Sequence, residues 1–376
     1  MGEMTVSEPF VPPPYPYDRL DRLTPLAERF ASGVVDLSIG TPFDPPPPSV
    51  IAAFGSSGAE RGYPASVGSV ALREAARRWM VRRFDVDVPV AAVASCVGTK
   101  EFVGTLPQWL RLRRPDLDTV LYPAVAYPTY AMGARLAGCR AVAVPVTEDG
   151  RLDLAAIEPS DVARALVLWV NSPSNPTGAL DDLGVAAQWG RRHGVPVFSD
   201  ECYVEFTWEG RGRTILEHGL DGVVAVHSLS KRSNLAGARV GFYAGDPDLV
   251  GYLGEVRKHV GLMVPGPAQA AGAAALDDDE HVAVQRERYR SRLDAMAGVL
   301  SSWSGIDIPR PAGGFYLWFP VDDAWAFAER LMAEGGALVS PGEFYGEAGS
   351  AFVRVAVVQS DERIALVGRR LAGSPE

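Results

Sequence analysis

Short apolar runs of strand length, each ending in polar residues and separated by helix-like segments, constrain this chain more than any other feature. ALVLWV (165–170) runs into NSPSNPTG, VPVFS (195–199) into DECY, and VVAVHS (223–228) into LSK. AAVASCVGT (91–99), TVLYP (119–123) and RAVAVPV (140–146) add three more runs. Between them lie segments such as SVALREAARRWMVRRF (69–84), where Leu72, Ala75, Ala76 and Trp79 share one helical face. Strands alternating with helices imply an α/β fold: a mostly parallel sheet sandwiched by helices. In such sheets ligands bind beyond the carboxyl ends of the strands. The polar residues that close these runs are therefore expected to meet.

After about residue 265 the pattern changes. DEHVAVQRERYRSRLDAMAGVLSS (279–302) reads as one long amphipathic helix, with Val282, Tyr289, Leu293, Met296 and Leu300 on its apolar stripe. GGFYLWFP and AFVRVAVV read as strands of a smaller α+β domain. Three parts are expected: an N-terminal arm (1–40) that packs on the small domain or a partner subunit, a large domain (41–264) and a small C-terminal domain (265–376). Prolines 12, 13, 14 and 16 keep the start of the arm extended, and a short helix follows.

The net charge is −10, which argues against a nucleic-acid footprint, so any anionic ligand needs local arginines and lysines. Three scattered cysteines form no CxxC pair, which argues against structural zinc and fits a reducing compartment. No apolar run approaches the roughly 20 residues that span a bilayer, and the proline-rich, acidic start does not read as a signal peptide. A cytoplasmic protein with no metal, membrane or nucleic-acid partner is expected.

Lys231 lies three residues after Ser228, directly behind Leu229 and Ser230, with Arg239 eight residues on. Asn175, Asp200, Tyr203 and Lys231 all follow strand ends. Taken singly, each has a plain reading: a surface lysine, a helix-capping aspartate, a loop asparagine, a packed tyrosine. Taken in order, they match what one cofactor needs. A desolvated lysine can form a Schiff base with a carbonyl. An aspartate can keep a ring nitrogen protonated, and an asparagine and a tyrosine can bond a phenolic oxygen. Ser228, Arg239 and the strand-to-helix turn at Gly98 and Thr99 can hold a phosphate. That cofactor is pyridoxal 5′-phosphate.

These residues resemble a known family. NSPSNPTG, SDECY, HSLSKRSNLAGARVGF and FVRVA look like the class I/II aminotransferases of pyridoxal-phosphate fold type I, and the likeness runs from DLSIGTP at 36 almost to the end. The resemblance implies that Lys231 holds the cofactor and shuttles a proton, and that Asp200 pairs with the ring nitrogen. It implies that Asn175 and Tyr203 bond the ring oxygen, and that Tyr127 stacks on the ring. Ser228 and Arg239, with Gly98, Thr99 and Lys100, would bind the phosphate. Arg354 would grip the substrate α-carboxylate, with Gly40 against the substrate backbone. Tyr63 would reach a neighbouring subunit's phosphate, making a homodimer the working form. Amino acids and 2-oxo acids would be the small-molecule partners.

DECYVEFTWEG, VRKHVGLMVPGPAQAA and PGEFYG narrow the likeness to actinobacterial succinyldiaminopimelate aminotransferases. That implies transfer from glutamate to N-succinyl-2-amino-6-oxopimelate, on the route to diaminopimelate and lysine. Arg232, Arg257, Lys258 and Arg310 are candidates for the distal carboxylates. Alternatives are an aminotransferase for aspartate or aromatic amino acids, a carbon–sulfur lyase, and a cofactor-responsive regulator. The last is disfavoured because the short acidic arm leaves no room for a DNA-binding domain.

Overall fold

The computed structural model describes residues 10–28 and 30–374. Residues 1–9 of the expected arm lie outside them. Twelve strands are found among the described residues: β1 (Val35–Asp36), β2 (Val93–Cys96), β3 (Thr119–Pro123), β4 (Arg140–Val144), β5 (Ala165–Asn171), β6 (Val197–Asp200), β7 (Val223–Ser228), β8 (Gly241–Gly245), β9 (Tyr316–Pro320), β10 (Ala337–Leu338), β11 (Ser340–Pro341) and β12 (Phe352–Ala356).

Seven of them form one sheet in the order β2-β8-β7-β6-β5-β3-β4. From β7 to β4 every neighbouring pair is parallel, while β8 runs against both β7 and β2. The inner strands are buried along their whole length because helices cover both faces. On β7, Val223 and Ala225 face one core, containing Trp79 and Leu168, whereas Val224 and Val226 face another, containing Tyr130 and Trp169. The helix Val70–Phe84 buries Leu72, Ala75, Ala76 and Trp79 as its periodicity predicts, and Ser69 Oγ caps it by accepting from the Leu72 amide at 3.2 Å.

A second, three-stranded antiparallel sheet has the order β11-β12-β9, and β1 pairs with β10 in parallel. The long helix Glu280–Ser304 lays the predicted stripe on the core behind this sheet and stops at Gly305, whose φ of +76° ends the α ladder. Leu20, Leu23 and Ala27 enter the same core from the N-terminal segment. Their helix is a 3-10 helix, Pro16–Ala27, with Pro16 at its first position, where no amide donor is needed, and Pro25 in its last turn. No helix among the described residues is long and apolar enough to cross a membrane.

Candidate active site

The parallel register sets Asn171 opposite Asp200, and Asp200 opposite Val226, so β5, β6 and β7 release their polar ends along one edge. A cavity of about 440 Å³ opens there. Of the residues expected to hold the cofactor and the substrate α-carboxylate, all line it except Gly98 and Tyr63. Tyr63 stands 97% exposed on the outside of this chain, away from the cavity.

Asp200 is buried on the cavity floor. Its Oδ2 accepts from Tyr130 Oη at 2.8 Å and its Oδ1 from the Cys202 amide at 3.2 Å. Burial raises its pKa, and these hydrogen bonds, together with Lys231, oppose the rise. Among the described residues no cation lies within salt-bridge distance of Asp200, which leaves its carboxylate available to a cationic partner. Asn171, passed over in the sequence in favour of Asn175, organises the neighbouring loop. Its Nδ2 donates to the Asp200 carbonyl at 2.8 Å, and its Oδ1 accepts from the Asn175 amide at 2.7 Å. The Ser172–Pro173 and Asn175–Pro176 bonds in this loop are both cis.

Lys231 sits on the single turn Leu229–Arg232, which Ser228 Oγ caps by accepting from the Ser230 amide. Its Nζ donates to the Gly40 carbonyl. Burial pulls its pKa down to about 8; Arg354 and Arg239 act in the same direction, and Cys202 and Asp200 oppose it.

At one end of the cavity the 15-residue helix Thr99–Arg113 begins. Gly98, at φ +73°, precedes it, and a Cβ there would lie 2.2 Å from an Arg239 guanidinium nitrogen. Glycine is thus required for Arg239 to approach the helix start. Thr99, Ser228, Ser230 and Arg239 line this end. Hydroxyls, an arginine and free helix amides make an anion cradle. The Lys100 side chain turns away to Tyr15 Oη at 3.1 Å.

At the other end lies Arg354, on β12 and 1% exposed. Its guanidinium rests between Tyr316 and Tyr345, 4.1 Å and 4.6 Å from their ring centroids. It donates to Asn175 Oδ1 at 2.8 Å, to the Ser38 carbonyl, and to Tyr17 Oη at 3.3 Å. Its Nε has no hydrogen-bond partner. Burial opposes its charge, but the surrounding tyrosines raise its pKa further, so it stays protonated.

The four candidate distal cations do not reach the cavity. Arg232 is buried against Glu205 and Asp279, and Arg257 makes a bidentate pair with Glu101. Arg310 pairs with Asp294, and Lys258 is on the surface near Glu255. Besides Asn171 and Tyr130, sequence reasoning missed Tyr15, Tyr17 and Tyr316, which line the cavity from other elements. Tyr316 was visible only as part of the strand-like GGFYLWFP.

The residues present fit pyridoxal phosphate. A buried amine with its pKa lowered to about 8, a buried carboxylate, and a cradle of hydroxyls and an arginine surround one cavity. A buried arginine with a free donor closes its far side. Fold and site together define a pyridoxal-phosphate enzyme of fold type I.

The family model for aminotransferase class I and II matches residues 32–371, and the chain belongs to that family. It is therefore a transaminase that uses pyridoxal phosphate and acts on small amino and oxo compounds. The chain is 42% identical over 367 residues to the 4-dedimethylamino-4-oxo-anhydrotetracycline transaminase OxyQ of Streptomyces rimosus, covering 96% of this chain and 99% of that one. It is 35% identical over 378 residues to the LL-diaminopimelate aminotransferase of Aquifex aeolicus, covering 96% of each. Among solved structures, a probable N-succinyldiaminopimelate aminotransferase from Thermus thermophilus matches with a TM-score of 0.85 at 30% identity, covering 95% of this chain and 99% of that one.

Proposed function

We propose that this aminotransferase moves an amino group from L-glutamate to N-succinyl-2-amino-6-oxopimelate. The observation that carries the reading is a row of groups along one cavity wall. Arg354 meets Tyr17 Oη at 3.3 Å, the Tyr17 and Tyr15 rings lie 5.4 Å apart, and Tyr15 Oη meets Lys100 Nζ at 3.1 Å. Neither cation is in a salt bridge among the described residues. Two cations separated by tyrosines suit an elongated substrate with a carboxylate at each end. The names of the Aquifex and Thermus relatives point to the same class of substrate.

The bound cofactor supplies an aldehyde and an electron-withdrawing ring. In our reading Lys231 holds that aldehyde and then acts as the base at the substrate Cα. Its amine suits the task because burial and two nearby arginines bring its pKa to about 8. Asp200 holds a proton on the ring nitrogen, while Tyr130 orients the carboxylate. Asn175 turns its Oδ1 to Arg354, which leaves its Nδ2 as the donor for the ring oxygen, shared with Tyr203. Thr99, Ser228 and Arg239 hold the phosphate with the amides of Thr99 and Lys100, and Gly98 makes room. Tyr127 covers the ring, and Arg354 orients the α-carboxylate so that the Cα–H faces Lys231. Gly40 lies against the substrate backbone. Tyr63, exposed here, completes the phosphate site of a second copy in a cytoplasmic homodimer.

A second reading has one observation in its favour. Tyr15, Tyr17 and Tyr127 give the cavity mouth an aromatic lining, and the Streptomyces relative is named for a polycyclic substrate. An acceptor panel separates the two. The succinylated oxopimelate is expected to give the highest kcat/KM, and Lys100→Met is expected to reduce that value by about 10- to 150-fold, since a hydrogen bond to a charged group contributes about 1.5–3 kcal/mol. A higher kcat/KM for a polycyclic or aromatic ketone, unaffected by Lys100→Met, would overturn the proposal in favour of the second reading. Release of 2-oxoglutarate from glutamate with no acceptor present distinguishes transamination from lyase chemistry.

A further inference from the structure

Tyr316 occupies a position that no motif singles out. Its hydroxyl lies 2.9 Å from the Tyr203 hydroxyl, and both are buried. Its ring face carries the Arg354 guanidinium. Its hydroxyl also sits over Gly40, so closely that a Cβ there would be 2.0 Å from it, and the Gly40 carbonyl is what Lys231 Nζ donates to. Tyr316 therefore touches the lysine's acceptor, the carboxylate arginine and the ring-oxygen tyrosine together, although it comes from β9 of the smaller sheet.

A hydroxyl has one proton to donate. In a hydrogen-bonded pair of tyrosines, one spends its proton on the other and the second keeps its own free. We propose that Tyr316 is a positioning residue that donates to Tyr203, so that the Tyr203 proton is directed at the cofactor's ring oxygen. The inference rests on the placement of Tyr203 proposed above. Donation from Tyr316 also polarises the Tyr203 hydroxyl and strengthens its own donation. In the reverse arrangement Tyr203 would spend its proton on Tyr316 and could only accept. The charged and titratable groups facing the pair are Arg354, Cys202, Tyr17 and Tyr127, and the variants below leave all of them in place.

The two arrangements predict opposite signs. A donor on the ring oxygen withdraws negative charge from it, and that charge stabilises a proton on the neighbouring lysine-linked nitrogen. Losing the donor raises the pH midpoint of the visible absorption change of the lysine-linked cofactor. The experiment is a spectrophotometric pH titration of the reconstituted holoenzyme, with no substrate and no turnover. Tyr203→Phe is expected to raise the midpoint by about 0.4–1 pH unit, the size of one neutral hydrogen bond. Tyr316→Phe is expected to raise it by roughly 0.1–0.3 unit, the cooperative share of that bond. In the Tyr203→Phe background, Tyr316→Phe is expected to change nothing further.

A fall or no change with Tyr316→Phe, when Tyr203→Phe does raise the midpoint, overturns the inference while leaving Tyr203 on the cofactor. No shift with Tyr203→Phe overturns the placement of Tyr203 itself. Should Tyr316→Phe fail to fold, replacing Tyr316 by 3-fluorotyrosine keeps the ring and makes the hydroxyl a stronger donor. The midpoint is then expected to fall, and a rise would overturn the inference.

Discussion

Gly40→Ala tests how tightly the substrate half of the site is packed. An added Cβ would lie 2.0 Å from Tyr316 Oη, 2.8 Å from Cζ and 3.0 Å from Cε1. A relaxed carbon–oxygen contact needs about 1.5 Å more than the first of these, on the scale of the well separations for packed atoms. Tyr316 has nowhere to retreat: it is 2% exposed, its ring carries Arg354 on one face, and Tyr203 holds its hydroxyl. Overpacking of this kind costs about 1–3 kcal/mol. In a chain of this length that is a fall in Tm of roughly 1–4 °C, at about 1.3 °C per kcal/mol. The functional effect is larger, because displacing Tyr316 or the 38–41 loop moves both Arg354 and the lysine's acceptor. A shift of about 1 Å in a positioning group costs on the order of 100-fold in rate. The assay is kcat/KM for glutamate beside a thermal melt. Gly40→Ala in a Tyr316→Phe background loses the closest contact and is expected to recover part of both deficits. A Gly40→Ala enzyme with native Tm and native kcat/KM would show that the loop yields freely, and would refute the packing argument.

Two further outcomes follow from buried titrating groups. Cofactor-free protein should take up pyridoxal phosphate at a rate that rises with pH around a midpoint near 8, because only the neutral Lys231 amine attacks an aldehyde and burial lowers its pKa to about 8; stopped-flow absorbance measures it, and a midpoint near that of a free lysine contradicts the burial argument. Glu201 is enclosed beside His227, with Oε1 accepting from the Ile215 amide at 2.8 Å and Oε2 3.5 Å from His227 Nε2. Burial raises its pKa to about 8 and lowers that of His227 to about 3, so both stay neutral near pH 6. A raised carboxyl pKa contributes stability below the unfolded value of 4.5 that is lost as pH rises towards 8. Glutamine does not titrate, so the Tm of Glu201→Gln should gain on wild type by about 1–2 °C per pH unit between pH 5 and 8; parallel melting curves would count against it.

Much of the cofactor half was legible in the sequence, and there is a physical reason. A parallel sheet puts its strand ends at one edge, and the residue that ends each apolar run is visible in one dimension. Asp200 and Ser228 could be placed that way, and Lys231 followed one turn later. Asn171 ends β5 in the same manner, but the turn-forming NPTG drew attention to Asn175, and only the hydrogen bonds show that Asn171 holds Asn175 in place. The substrate half was less legible: Gly40 and Arg354 were named only through the family resemblance, and Tyr17 and Tyr316 were missed. These four are up to 337 residues apart and come from four different segments. No periodicity links them. The distal arginines failed for a related reason: a long side chain can choose among many acids, and Arg257 finds Glu101 across 156 residues.

That asymmetry bears on what a sequence likeness can say about substrate. The cofactor residues lie at the ends of the large sheet. The groups facing the substrate come from β9, β12, the 38–41 loop and the Tyr15–Tyr17 segment. The two halves touch through a few polar contacts: Lys231 with the Gly40 carbonyl, Asn175 with Arg354, and Tyr203 with Tyr316. An exchange at Tyr15, Ile39 or Lys100 alters the cavity mouth without disturbing any of these contacts. Motifs around Lys231 therefore specify the cofactor and the Cα chemistry, and they leave the acceptor open. Relatives at 42% and 35% identity carry names of different substrates, in keeping with that division. In the proposed reading the residue that bears on the acceptor is Lys100, whose side chain meets Tyr15 rather than Lys231.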